Sequence, residues 1–171
     1  MAKSRAQAGF TVIELMVAVA VVSILLTVGV PAFGSLIERQ QLSGAAQTFA
    51  SDLRRAKSDA IAKGPGGSVT ITLASDSSAG TWSYAVTNSG STPTKNVSQV
   101  DFSGVTAVVT GWGVSGGAAA FSIEAVRGLS AAGEGSITFT SGTASLTVER
   151  NLAGRVRVCS ATGDFGYSTC S

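Results

Sequence analysis

Few residues in this chain have types and spacings that could do chemistry, and they gather at its two ends. Near the C-terminus stands Gly154-Arg155-Val156-Arg157-Val158-Cys159. In an extended strand Arg155 and Arg157 point to one face while Val156 and Val158 point to the other. Their stems are then about 7 Å apart, a spacing that lets two guanidinium heads reach successive phosphates of one nucleic-acid strand. Arg150 precedes them and could widen the patch, and Glu149 or Asp164 could instead pair with these arginines on an exposed face. The chain's two cysteines, Cys159 and Cys170, lie eleven positions apart, and histidine is absent. Two thiols without histidine make a poor zinc site, and no metal or cofactor is expected. At the other end Glu14 is the single charged side chain between Phe10 and Phe33. A carboxylate in so apolar a run is costly unless it finds a positive partner or reaches an interface.

Two further patterns are set aside. Gly113-Val114-Ser115-Gly116-Gly117 fits a nucleophile elbow, but no histidine exists to act as its base. Gly111-Trp112-Gly113-Val114-Ser115-Gly116 fits a dinucleotide fingerprint without the strand–helix–strand context it needs. Paired carboxylates are not singled out either, and no enzyme activity is expected.

The elements that position these residues follow from periodicity. The apolar run from Phe10 to Phe33 would make about 36 Å of helix, enough to cross a bilayer core with some tilt. Lys3 and Arg5 precede it, which by the positive-inside rule keeps the amino terminus cytoplasmic. The run is too long for a signal peptide, and no small-residue cleavage site closes it. Pro31, between Gly29 and Gly34, is expected to bend the helix. From Leu36 the pattern turns amphipathic: Leu42, Ala46, Phe49, Leu53, Ala56 and Ala60 form one face. Glu38, Arg39, Gln41, Asp52, Arg55 and Asp59 are assigned away from it. The helix is expected to stop at Lys63, before Gly64-Pro65-Gly66-Gly67. Thereafter the period is two, with strands expected at 68–73, 82–86, 96–102, 105–110, 119–125, 136–139, 144–149 and 155–159. With the C-terminal part on the exported side of an anchor, Cys159 and Cys170 read as one disulfide closing a loop. Apart from Lys3 and Arg5 ahead of the apolar run, the side chains number ten basic and ten acidic. The protein as a whole is therefore no polybasic nucleic-acid binder.

The order basic leader, Gly9, Phe10-Thr11-Val12-Ile13-Glu14-Leu15, then an apolar helix, resembles the type IV prepilin signature. Ser51 to Ile61, Ser136-Ile137-Thr138-Phe139 after Arg127-Gly128, and Gly154-Arg155-Val156-Arg157 resemble the GspH/FimT branch of those pilin-like proteins. The resemblance implies cleavage by a prepilin peptidase between Gly9 and Phe10, N-methylation of Phe10, and insertion in the inner membrane. It also implies that Glu14 pairs with the new α-amino group of a neighbouring subunit and sets register in a filament of pilins. In its FimT-like members the Gly-Arg-x-Arg pattern is associated with DNA binding, which here implies Arg155 and Arg157, with Arg150 beside them. The expected fold is α+β and pilin-like: a long N-terminal helix, with an apolar transmembrane half and an amphipathic second half, packed on an antiparallel β domain. Its parts are a leader (1–9), a transmembrane and filament-core helix (10–35), the amphipathic half (36–63) and a globular β domain (64–171). The chain is thus expected to be a single-pass inner-membrane protein with a periplasmic β domain, assembled into a pilus or pseudopilus. The functional expectation is a minor pilin that binds DNA for uptake in natural transformation. The alternative is an H-type minor pseudopilin of type II protein secretion.

Overall fold

The computed structural model describes residues 10–76, 79–88, 92–113, 118–124 and 133–170, with backbone alone for 28–32 and 164. Gly9 and the rest of the leader, Arg127-Gly128, and residues 114–117 of the two glycine-rich patterns lie outside the described residues.

One helix, α1, runs from Val12 to Ala62. Thr11 caps it: its Oγ1 accepts the backbone N–H of Glu14 at 3.3 Å. Thr11-Val12-Ile13-Glu14 is thus a Ser/Thr-x-x-Glu start signal written inside the apolar motif. The backbone is helical through Pro31, whose side chain lies outside the described set. The far end stops where Gly64 and Gly66 take φ of +74° and +88°, a region glycine enters without a Cβ clash.

The chain divides into two units, Met1–Ile37 and Glu38–Ser171. In the first, the described residues are helix with its apolar side chains bare: Phe10 is 85% exposed, Val12 78% and Leu26 57%. Among the described residues no helix is long and apolar enough to cross a membrane. This corrects the expected transmembrane half of the fold, and with it the single-pass inner-membrane placement.

Among the described residues the second unit holds the lower part of α1 and eight antiparallel strands in two sheets. One sheet has the order β3-β2-β1-β5, from β1 (Ser68–Asp76), β2 (Thr81–Asn88), β3 (Pro93–Ser98) and β5 (Ala118–Glu124). The other has the order β4-β6-β7-β8, from β4 (Thr106–Gly111), β6 (Gly135–Ser141), β7 (Ala144–Arg150) and β8 (Val156–Ser160). β3 begins and ends earlier than its sequence pattern suggests, because Gln99–Asp101 form a 3-10 turn closed by Asp101 on the Ser98 N–H. Pro93 is tolerated because β3 is an edge strand.

The expected helix face is the buried one. Leu42, Ala46, Phe49, Leu53, Ala56 and Ala60 are all buried, joined by Ala45 and Ala50. Phe49 is the pivot: its ring meets Tyr84 of one sheet at 5.0 Å and Phe139 of the other at 6.2 Å. Asp52, assigned to the solvent side, is 8% exposed. It stands three residues after Phe49 and four before Ala56, so the 3.6 period carries it onto the packed face. There it accepts the Tyr84 hydroxyl at 2.7 Å and the Lys95 ammonium at 2.8 Å, tying α1 to β2 and β3.

Candidate functional site: the β7–β8 end and the N-terminal helix

The turn between β7 and β8 is fixed by Asn151. Its carbonyl accepts Gly154 N–H at 2.8 Å, and its side-chain oxygen accepts Arg155 N–H at 2.9 Å. Gly154 supplies the left-handed backbone, φ +71°, that the reversal needs. Arg155 therefore sits just before β8 rather than inside it, and it is exposed. Arg157 is opposite Glu149 across the β7–β8 ladder, and its Nη2 donates to Glu149 Oε2 at 2.9 Å. Both side chains of this pair are partly open to solvent.

Arg150 is elsewhere. Leu146, Val148 and Arg150 alternate onto the core face of β7, and Arg150 is 2% exposed. Its guanidinium carbon lies 5.8 Å from the centre of the Phe121 ring, which stacks on Trp112 at 4.7 Å. Burial pushes its pKa down from the ordinary arginine value. The exposed basic patch expected from the sequence is thus Arg155 with a half-neutralised Arg157, and Arg150 approaches it from the core side. The same strand alternation that places Val148 inside would have placed Arg150 there.

The three arginines line one groove of about 540 Å³, together with Glu134 and Glu149. The sequence pattern around Arg155 gave no sign of Glu134, which arrives from the start of β6 and accepts Leu152 N–H at 3.2 Å. Two carboxylates in the groove offset much of the positive field that a phosphate chain would need.

Cys159 and Cys170 form a disulfide, with Cα atoms 5.1 Å apart. It closes a C-terminal loop whose Ser168 and Cys170 bond back to Ser160 at the end of β8, and Cys159 is fully buried. Tyr167 in this loop accepts Gln47 Nε2 at 2.7 Å, and Phe165 lies under Arg39 at 5.5 Å, so the loop rests on α1. Glu149 and the two sulfurs lie within 4.8 Å of one another. Sulfurs bonded to each other offer no thiolate, so this group is no metal site as it stands.

At the other end, Glu14 lies in the first turn of α1, where a carboxylate also favours the helix dipole. Phe10 is exposed beside it, and Gly9 lies outside the described residues.

Comparison with protein families matches residues 4–30 to the prokaryotic N-terminal methylation motif. Residues 45–164 match the family described as type II transport protein GspH. No curated protein and no solved structure matches the chain. The role this places on the molecule is pilin-like or pseudopilin-like assembly, a structural and not a catalytic one. The GspH match takes in the buried face of α1, both sheets and the Arg155–Arg157 turn, so the chain belongs to the GspH family and carries an N-terminal methylation motif.

Proposed function

We propose that the chain is an H-type minor pseudopilin of a type II secretion apparatus. In this reading it is cut between Gly9 and Phe10, methylated on Phe10, and held among other pilin-like subunits by its N-terminal helix. The observation that carries the reading is the bare apolar surface of that helix, where every large side chain from Phe10 to Leu26 is at least half exposed. Each such side chain gains about 1.5–3 kcal/mol on full burial, so the surface strongly favours being covered by other subunits. Glu14 is the one carboxylate on it. Its pairing with the α-amino group of a neighbour would fix the offset between parallel helices, a register role well attested for polar groups in apolar seams. The GspH match supports type II transport over DNA uptake. The DNA reading has less behind it, since Arg150 is buried and Arg157 is paired with Glu149.

The test is deletion and complementation in the source cell. Deletion is expected to block export of folded type II substrates while leaving DNA uptake unchanged. Glu14→Gln is expected to reproduce the export defect with processing at Gly9 intact. Loss of DNA uptake with export unaffected would replace this reading by the DNA-uptake pilin.

A further inference from the structure

A second cavity, of about 200 Å³, opens between the C-terminal part of α1 and strands β2 and β3. α1 supplies Asp52, Ala56 and Asp59, while Val86 and Asn88 come from β2 and Lys95 from β3. Two periods bring them together. Asp59 follows Asp52 by about two helical turns, so both stand on one side of α1. Asn88 follows Tyr84 and Val86 at the strand spacing, so it continues the core face of β2. Asp52 and Lys95 close on each other: the ammonium lies 2.8 Å and 2.7 Å from the two carboxylate oxygens, and the Tyr84 hydroxyl holds one of them. Asn88 is different. Its Oδ1 is buried, and no donor among the described residues reaches it. Buried amide oxygens are almost always hydrogen-bonded, so this one points to a donor supplied by a ligand. Asp59, on the same cavity, meets Arg55 Nε at 3.9 Å, longer than a hydrogen bond, and that arginine side chain is 82% exposed.

We propose that this cavity receives an arginine side chain of a neighbouring protein subunit, whose guanidinium donates to Asn88 Oδ1 and to the Asp59 carboxylate. Its volume is below the roughly 300–1,000 Å³ of small-molecule sites and suits a single side-chain head. Ala56 and Val86 are apolar walls for the aliphatic stem. A guanidinium carries its donors in a planar fork, so it serves an amide oxygen and a carboxylate together, and it is less strongly hydrated than an ammonium. An anion would instead face Asp59, with the Lys95 ammonium already held by both oxygens of Asp52. Arg55 is the chain's own competitor for Asp59, but a pair so open to water is worth little. Pilin-like assembly supplies the neighbours, and the inference does not depend on which secretion or pilus apparatus they form.

The experiment titrates the isotope-labelled full chain, in mild detergent, with acetyl-Gly-Arg-Gly-amide and with its citrulline counterpart, which keeps the shape and lacks the charge. The arginine peptide is expected to move the side-chain amide signal of Asn88 and the backbone signals of Asp59 and Val86. It is expected to bind about tenfold more tightly than the citrulline peptide. Asn88→Leu and Asp59→Asn are each expected to remove that preference, and Arg55→Gln, which takes away the competitor, to tighten binding. The Asp59 change, at a side chain 42% exposed, carries the test where Asn88→Leu disturbs folding. Glu124→Gln, at an exposed carboxylate on β5, is expected to leave the preference unchanged. Equal affinity for the two peptides, binding by neither, or an arginine preference that survives Asp59→Asn in full would each overturn the proposal.

Discussion

The link between α1 and the first sheet makes a sharp prediction about alkaline stability. Tyr84 is 2% exposed and its hydroxyl donates to Asp52 at 2.7 Å. Burial, the bond to Asp52 and the charges of Asp52 and Asp101 all push its pKa up from the ordinary 10.0. The folded chain therefore keeps a proton that the unfolded chain releases near pH 10. The stabilisation is complete below that pH and is lost above it, at about 1.4 kcal/mol per pH unit, as pH rises toward the folded-state value. Tyr84→Phe removes both the bond and the titration. At neutral pH it should cost about 1–2 kcal/mol, the low end for a hydrogen bond to a charged group, because Lys95 still satisfies Asp52. The wild-type advantage should then shrink above pH 10 and vanish about one unit higher. Urea unfolding, followed by the fluorescence of the buried Trp82 and Trp112, measures both proteins at pH 8, 10 and 11. Wild-type and variant stabilities that stay parallel across this range would refute the argument, since they would mean that Tyr84 ionises as easily folded as unfolded.

Replacing Cys159 and Cys170 together by serine should lower unfolding stability by roughly 3 kcal/mol, the chain-entropy value for so short a loop. Faster amide exchange in Gln47 and its neighbours on α1 should accompany it, because the loop that carries Tyr167 loses its tether. Gly135→Ala should destabilise the second sheet by about 1–3 kcal/mol and shift the emission of Trp112. A Cβ at this position would run into the Trp112 ring, which is 1% exposed and packed against Phe121 and has no room to retreat.

Periodicity made most of the fold legible. The buried face of α1 and the approximate places of the eight strands follow from apolar spacing alone. The two side chains that end up elsewhere, Asp52 and Arg150, obey the same periods as their apolar neighbours. Residue type argued against burial in both cases, and position prevailed because each charged head found company: Tyr84 and Lys95 for Asp52, the Phe121 face for Arg150. The apolarity of the N-terminal helix was equally plain. Length alone suggested a lipid span, whereas among the described residues no helix is long and apolar enough to cross a membrane.

The groove was not legible, and the reason is topological. Arg155 and Arg157 are near in sequence, so a linear reading sees two like charges and infers a partner that tolerates only positive neighbours. Glu149, which the sequence already offered as a partner, joins them through the β7–β8 register; Glu134 reaches the turn from just before β6 through the Leu152 N–H, and Thr110 comes from β4, which pairs with β6 although a strand of the other sheet separates the two in sequence. The sign and shape of the site are thus set by pairings between segments that sequence spacing does not relate. A Gly-Arg-x-Arg turn reads as a phosphate grip by itself; beside two carboxylates and two hydroxyls it becomes a surface of mixed charge, in which much of the positive field is offset.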